Sequence, residues 1–174
     1  MIDFDSNDNM LNKGFNVWND EYFMEAALLC AEKAMKKGDV PVGAVAVKNG
    51  MIIARSWNQV ELLKDATAHA ELLLISSLPQ IIGDWRLNDI DIYVTKEPCA
   101  MCASAIQQAR VSRLVYALAD PNNGAVDNGV HLYQNKAINK APQVSSGVLK
   151  LSAQKMLKTF FQKKRKKTDV GKRR

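Results

Sequence analysis

Two short segments of the chain carry the residue types that bind a metal ion. The first is residues 69–71, with the sequence HAE, and the second is residues 98–102, with the sequence PCAMC. Imidazole nitrogen and thiolate sulfur are ligands that a tetrahedral zinc ion readily takes. Cys99 and Cys102 are three positions apart, which places both on one face of a helix. The pattern predicts a zinc ion held by His69, Cys99 and Cys102.

The spacing within the first segment requires a particular helix arrangement. His69 and Glu71 are two positions apart, so they point about 200° apart on an α-helix with about 3.6 residues per turn. Both reach one metal ion only if the ion lies beyond the amino end of their helix. Pro98 suits the first position of a second helix, because the N–H that proline lacks would be unpaired there. We therefore expect the amino ends of two helices to point at one ion, where their amides and dipoles favour thiolates.

Three protein ligands are typical of a catalytic zinc site, because they leave a fourth position for water. Glu71 beside that position is a candidate proton shuttle. Two alternatives remain open. A lone PCxxC segment also occurs in redox pairs and structural zinc knuckles, and Cys30 is a candidate fourth ligand that would close the site. Cys30 nevertheless shares an apolar stripe at helical spacing with Phe23, Ala27 and Ala34, which favours a buried core position.

The composition is that of one globular domain with flanking tails. The chain has 174 residues, of which 47% are apolar and 24% charged. No run approaches the roughly 18 apolar residues of a membrane span, and the amino terminus lacks the basic start and apolar core of a signal peptide. Three cysteines, two of them at metal-binding spacing, favour a reducing compartment over a disulfide framework. The sequence therefore predicts a cytoplasmic protein without a membrane segment.

The positive charge of the chain is concentrated at its carboxyl end. The net charge is +6, but residues 163–174 contain eight Lys and Arg against one Asp, so residues 1–162 sum to −1. The basic balance therefore does not predict a nucleic-acid groove on the folded domain. The basic segment is either solvated or binds RNA phosphates non-specifically. We divide the chain into a loose leader (residues 1–18), a folded domain (residues 19–162) and a basic tail (residues 163–174).

Apolar patterning predicts an α/β fold. The predicted helices span residues 20–37, 69–78, 99–109 and 152–166, and the predicted strands span residues 42–47, 51–57, 90–95, 113–117 and 143–146. Asn49-Gly50 predicts a hairpin turn between the first two strands. The residues placed near the packed side of the last helix are Leu151, Lys155, Leu157 and Phe161. The order of elements predicts three layers, with a mixed central sheet of about five strands flanked by helices.

With both segments placed, the chain resembles the cytidine deaminase superfamily of zinc-dependent deaminases, whose signature is H-x-E…P-C-x-x-C. The resemblance covers about residues 20–165 and is greatest to the bacterial tRNA-specific adenosine deaminases. Two positions depart from the family pattern: Ala66 replaces a proline ahead of His69, and Lys96 replaces a leucine. The matching sequence also includes residues 40–45 (VPVGAV), 57–58 (WN) and 97–99 (EPC).

The resemblance implies a hydrolytic enzyme that converts adenosine to inosine at the wobble position of a tRNA anticodon loop. It also implies one zinc ion per chain, a homodimer, and Glu71 as the catalytic acid–base residue. A loop at residues 119–125 is expected to lie near the RNA backbone. The implied substrate-binding residues are Asn58, Ala70, Val40, Pro41 and Asp120, and the candidate RNA contacts are Phe160, Phe161, Lys163, Lys164 and Arg165.

Two other functions fit part of this pattern. Guanine deaminases share much of the matching sequence, so a deaminase of guanine or of another free base or nucleotide is the first alternative. A non-catalytic, zinc-stabilised partner subunit is the second, although a structural zinc ion needs no carboxylate such as Glu71. Single residues also have simpler interpretations, since Asn58 suits a turn after a strand and either Phe160 or Phe161 suits a helix core.

Overall fold

A five-stranded sheet with helices on both faces forms the centre of the molecule. The computed structural model describes residues 19–134 and 140–171, with side chains to residue 165, so the predicted leader and residues 172–174 lie outside the described part. The strands are β1 Gly43–Lys48, β2 Met51–Trp57, β3 Asp91–Lys96, β4 Arg113–Leu118 and β5 Gln143–Ser146. The helices are α1 Asp20–Lys36, α2 Val60–Leu63, α3 Ala70–Ile82, α4 Ala100–Gln108 and α5 Lys150–Gly171, with a 3₁₀ turn at Leu132–Gln134.

The strands are arranged in the order β2-β1-β3-β4-β5. β1 runs antiparallel to both of its neighbours, whereas β3, β4 and β5 are parallel to one another. The carboxyl ends of β3 and β4 therefore meet the amino end of β1 at one edge of the sheet. The predicted mixed sheet of five strands is confirmed.

The hairpin between β1 and β2 follows from its local sequence. Asn49 and Gly50 both have positive φ, at 51° and 74°, as a two-residue type I′ turn requires. Lys48 and Met51 pair directly across this turn. Glycine adopts the left-handed conformation without strain, and asparagine tolerates it better than most residues. The turn predicted from Asn-Gly is confirmed.

Side-chain alternation along the strands divides the core between the two faces of the sheet. α3 and α4 cover one face, where Leu74 and Ile106 are fully buried. α1 and α5 cover the other face, where Met24 and Ala153 are buried. Full burial of a large aliphatic side chain contributes about 1.5–3 kcal/mol, so both helix layers are held chiefly by apolar contact. The predicted three-layer arrangement is confirmed.

The last helix differs from its prediction in length and in its packed side. It begins at Lys150 rather than residue 152 and runs to Gly171, so much of the predicted basic tail continues the helix. Leu151 is 79% exposed, and Lys155 and Phe161 are also exposed, so their predicted place near the packed side was wrong. The residues that are buried, spaced four and three apart, are Ala153, Leu157 and Phe160. On a 3.6-residue period this stripe lies opposite Leu151 and Lys155.

Neither α5 nor any other described helix is long and apolar enough to cross a membrane.

Candidate active site

Two helices begin at the predicted metal ligands. His69 is the residue immediately before α3 and Cys99 the residue immediately before α4, and neither side chain caps its own helix. The first-turn amides of a helix have no partner within it, and its amino end carries partial positive charge. The predicted convergence of two helix amino ends is confirmed. Pro98 precedes Cys99 and lies outside α4 rather than at its first position, and its carbonyl accepts a hydrogen bond from the Ala125 amide at 3.0 Å.

The three predicted ligand atoms form a triangle that fits zinc. His69 Nδ1 lies 3.7 Å from Cys99 Sγ and 3.5 Å from Cys102 Sγ, and the two sulfur atoms are 3.7 Å apart. Zinc–sulfur bonds of about 2.3 Å and zinc–nitrogen bonds of about 2.0 Å at tetrahedral angles separate such donors by about 3.5–3.8 Å. Among the described residues, these three form the group of donors close enough to share an ion. The donor set therefore matches a zinc site in both chemistry and geometry.

Hydrogen bonds within this group shift the pKa values of all three side chains. The hydrogen bond with Cys102 is the largest influence on Cys99 and helps to lower the pKa of its thiol to about 3. The hydrogen bond to Cys99 raises the pKa of His69, and the contact with Cys99 also raises the pKa of Cys102. Metal binding displaces protons from thiol and imidazole ligands, and this cluster already stabilises a thiolate. The cluster therefore favours a thiolate at Cys99, whereas the protons favoured on Cys102 and His69 are ones that zinc binding would displace.

Glu71 lies in the first turn of α3, two residues after His69. It is only 4% exposed, and this burial raises the pKa of its carboxyl. Only Ala70 separates it from His69 at the amino end of α3, so the carboxyl lies close to the metal ligands. A buried carboxyl with a raised pKa next to a metal site is suited to proton transfer near neutral pH.

Cys30 lies away from the three zinc donors. It is 2% exposed on α1 and packs in the apolar cluster on the opposite face of the sheet from α3 and α4. Burial raises the pKa of its thiol. The alternative of Cys30 as a fourth ligand is not supported by this placement, and the predicted core position is confirmed.

The candidate base-binding residues surround the start of α3. Val40 is half-buried and Pro41 is buried in the connection from α1 to β1. Asn58 follows β2 and is 7% exposed. Its backbone N–H donates a hydrogen bond to the carbonyl of Val42 at 2.9 Å. The Ala70 carbonyl accepts a hydrogen bond of 2.6 Å from the Ser56 hydroxyl, which ties β2 to the first turn of α3. These bonds join the segments on which the predicted binding residues lie.

Asp39 organises this region, and the sequence patterns gave no indication of it. Its side chain is almost fully buried, and one oxygen accepts from the Val40 amide at 3.0 Å and from Asn58 Nδ2 at 2.7 Å. The other oxygen accepts from the amides of Glu61 and Leu62 at 2.8 and 3.2 Å. Asp39 therefore fixes the orientation of Asn58 and holds the amino end of α2.

Hydrogen bonds order the loop before α3, although Ala66 stands where the family pattern has a proline. Asp65 Oδ1 accepts hydrogen bonds of 2.7 Å from both the amide and the hydroxyl of Thr67. These bonds lower the pKa of Asp65. An aspartate that bonds the backbone two residues ahead forms a local turn, which orders the loop in place of proline.

Glu97 organises the loop that contains Asp120. One Glu97 oxygen accepts from the amides of Val126, Asp127 and Asn128 at 2.9–3.2 Å. The other accepts from the Asp120 amide at 2.8 Å and the Asn128 side chain at 2.6 Å. Burial of Glu97 acts to raise its pKa, but these hydrogen bonds outweigh it and the pKa is lowered. Residues 120–128 therefore wrap around a buried carboxylate one residue before Pro98.

Replacing Glu97 by Gln is expected to lower the free energy of unfolding by about 2–4 kcal/mol. The NH₂ group of Gln would then face backbone N–H groups that donate to the Glu97 carboxylate, so some of these donors would lose their acceptor. The lowered folded pKa means that Glu97 stabilises the protein above its unfolded pKa of about 4.3 and loses this effect as pH falls through the folded value. The difference between Glu97→Gln and the unmodified protein should therefore shrink in acid. Urea unfolding at about pH 7 and about pH 3.5 measures it, with the exposed Glu21→Gln as control. An equal difference at both values would contradict this account.

The candidate RNA contacts are placed differently from one another. Asp120 is 7% exposed and forms an ion pair with Lys96. Phe160 is 6% exposed, which confirms the simpler interpretation that one of the two Phe residues lies in the core, whereas Phe161 is 42% exposed. The RNA contact of Phe161 stays a prediction. Lys164 Nζ lies 3.7 Å from Oε1 of Glu61 in α2 and also lies over the Phe160 ring. The candidate RNA contacts that are exposed on α5 are Phe161, Lys163, Lys164 and Arg165.

A cavity of about 620 Å³ opens at the other edge of the sheet. Asp91 and Arg113, which begin β3 and β4, line it together with Arg110 and Lys140. Arg113 is held by Asp20 through two bonds of 2.7 Å, so its charge already has a partner. The zinc donors lie at the opposite ends of these strands, which separates this cavity from the candidate active site.

Comparison with known families agrees with the zinc-binding geometry. Residues 18–118 match the family model described as the cytidine and deoxycytidylate deaminase zinc-binding region. The chain belongs to this deaminase family. The matched range includes all three zinc donors and Glu71.

Members of the deaminase family are similar to this chain over most of its length. A tRNA-specific adenosine deaminase of Agrobacterium fabrum is 44% identical over 144 residues, which are 83% of this chain and 95% of the relative. A structure solved in a study of A-to-I editing by tRNA:A34 deaminases at the wobble position superposes with a TM-score of 0.76 at 44% identity, over 78% of this chain and 99% of that one. A guanine deaminase of Nitrosomonas europaea reaches a TM-score of 0.73 over 86% of this chain and 88% of its own, but at 20% identity it shows the common fold alone.

Proposed function

We propose that this protein is a tRNA adenosine deaminase that hydrolyses adenosine to inosine at the wobble position of an anticodon loop. The observation that carries the proposal is that the donor atoms of His69, Cys99 and Cys102 are spaced as zinc ligands are, with Glu71 buried close to them. This arrangement supports deamination, and similarity to a named tRNA-specific adenosine deaminase at 44% identity supports the choice of adenosine in tRNA.

The reaction replaces the amino group of adenine by oxygen from water and releases ammonia. A zinc ion on the three donors supplies Lewis-acid activation of the water. The Glu71 carboxylate takes a proton from the attacking water and delivers it to the adenine ring nitrogen. It then takes the remaining proton of the added hydroxyl group and gives it to the departing amino group, so that the C–N bond breaks as the C=O bond of inosine forms. Its raised pKa suits a group that must both accept and donate a proton near neutral pH.

The protein groups around the start of α3 orient the base. Asn58 would hydrogen-bond the purine, in an orientation set by Asp39, and the main chain of Ala70 would contribute a first-turn group of α3. Val40 and Pro41 would form the wall of the pocket. Because a stacked base does not reach such a recessed site, the adenosine is turned out of a single-stranded loop before it reacts.

The assembly and compartment are also part of the proposal. The family resemblance supports a homodimer in which the second subunit contributes to the RNA surface. The free thiols of Cys30, Cys99 and Cys102 support a reducing compartment, which for this chain we take to be the cytoplasm. Sedimentation of the zinc-loaded protein tests the dimer, because a monomer at micromolar concentration would contradict it.

One assay separates this function from its alternatives. The zinc-loaded protein is incubated with total tRNA and, separately, with guanine and with other free bases and nucleotides. We expect inosine in tRNA and no xanthine from guanine. Xanthine without inosine would favour the guanine deaminase, and no product from any substrate would favour the non-catalytic partner subunit.

Exposed basic residues near the end of α5 are expected to strengthen RNA binding without choosing the substrate. Changing Lys163, Lys164 and Arg165 together to Gln should weaken affinity at low salt and reduce the slope of log K against log salt by about 2–3 units. A matched control changes three exposed lysines in the first half of the same helix, namely Lys150, Lys155 and Lys158. Filter binding across a salt series measures both variants on cognate and non-cognate tRNA. Equal slopes for the two variants, or lost discrimination between tRNAs, would contradict this division.

A further inference from the structure

The last residue of β3 places a cation near the zinc donors. Ile92 and Val94 point toward the face covered by α3 and α4, so Lys96 points to the same face by strand alternation. Lys96 is also three residues before Cys99. Lys96 therefore lies at the same end of the sheet as the segment that carries Cys99 and Cys102.

The Lys96 ammonium forms an ion pair with Asp120, on the loop organised by Glu97. The Lys96 side chain is 28% exposed and the Asp120 side chain 9%. Asp120 is held from two further directions, because its amide donates to Glu97 at 2.8 Å and its second carboxylate oxygen accepts from Asn122 at 3.2 Å. Burial acts to raise the pKa of Asp120, but Lys96 and the local amides lower it, so this carboxylate is charged at neutral pH.

A charged carboxylate close to bound RNA has an electrostatic cost. RNA carries one negative charge per nucleotide, and like charges brought together weaken association. The folded domain offers little net positive charge to offset this, because residues 19–162 contain 15 Lys and Arg against 14 Asp and Glu, a net charge of +1. A cation paired directly with Asp120 removes the repulsion at its source.

We propose that RNA enters the active site past the loop that carries Asp120, and that Lys96 is a positioning residue for this entry, which neutralises Asp120 and holds its carboxylate in place. Lys96 acts through Asp120 and not by its own contact with phosphate. The proposal rests on the proposed function, since it concerns RNA as the substrate of the same site.

A double-mutant cycle tests the proposal with an anticodon stem-loop as substrate. Lys96→Met is expected to raise KM about tenfold at low salt, with kcat changed less than about twofold, because only entry is affected. The defect should shrink as salt rises, since a partly exposed charge is screened. In an Asp120→Asn background the same Lys96→Met change should alter KM by less than about threefold, because the carboxylate to be neutralised is gone. Lys96→Arg keeps the charge and should restore KM, and Lys48→Met at the far end of β1 is the matched control.

The outcomes separate the possible failures. An unchanged KM for Lys96→Met, or the same fold-change with and without Asp120→Asn, would overturn the proposal, the latter by showing direct contact with RNA. If Lys96→Met fails to fold, the double variant should fold, because it lacks the uncompensated carboxylate, and its failure would also overturn the proposal. Absence of inosine from the unmodified protein contradicts the proposed function instead.

Discussion

Replacing Glu71 by Gln is expected to reduce inosine formation by a factor of about 10²–10⁴, the usual contribution of a positioned general acid–base. The amide is similar in size to the carboxyl but does not carry the proton from water to the base. Zinc content and RNA affinity should be retained, because Glu71 is not one of the three donors close enough to share the ion. Single-turnover kinetics, zinc analysis and RNA binding on the same preparation measure these three properties.

The matched control for Glu71→Gln is Glu25→Gln, which makes the same chemical change at an exposed position of α1. It should leave the rate unchanged. Near-normal inosine formation by Glu71→Gln would remove Glu71 from the mechanism. Loss of zinc from Glu71→Gln would instead show that the carboxylate helps to hold the metal.

Replacing Cys102 by Ala is expected to abolish stoichiometric zinc binding and to lower the free energy of unfolding by about 4 kcal/mol or more, because metal-binding energy is part of the folding energy. Cys99→Ala should behave in the same way. The control is Cys30→Ala, which removes a buried thiol from the other face of the sheet. It should keep one zinc ion per chain and cost about 1 kcal/mol of packing energy.

Zinc analysis and urea unfolding of the three cysteine variants distinguish the open site from a closed one. A Cys30→Ala protein without zinc would mean that Cys30 is a ligand, as in a structural Cys₃His site. A Cys102→Ala protein with one tightly bound zinc would contradict the assignment of Cys102.

Local patterns in the sequence predicted the parts of the fold that local physics determines. The Asn-Gly turn follows from the conformations that two residues tolerate, and the helix amino ends at His69 and Cys99 follow from ligand spacing. The packed side of α5 was predicted less well. Its amino-terminal half has several apolar residues on different sides, and only the neighbouring β4 and α1 decide which of them are buried.

The contacts that shape the site beyond the zinc donors join residues far apart in sequence. Glu61 follows Asp39 by 22 positions, and its backbone N–H donates to the Asp39 carboxylate. No local sequence pattern therefore predicts α2. Glu97 likewise accepts from an amide 31 positions away. Buried carboxylates that accept backbone amides have no periodicity, which is why Asp39 and the role of Glu97 were not predicted.

X-ray absorption at the zinc edge of the loaded protein tests the central claim, an open zinc centre on His69, Cys99 and Cys102, most directly. We predict two sulfur ligands at about 2.3 Å and two nitrogen or oxygen ligands at about 2.0–2.1 Å, one of them from His69 and the other from solvent. A shell of three or four sulfur ligands would contradict the open site and with it the proposed catalysis.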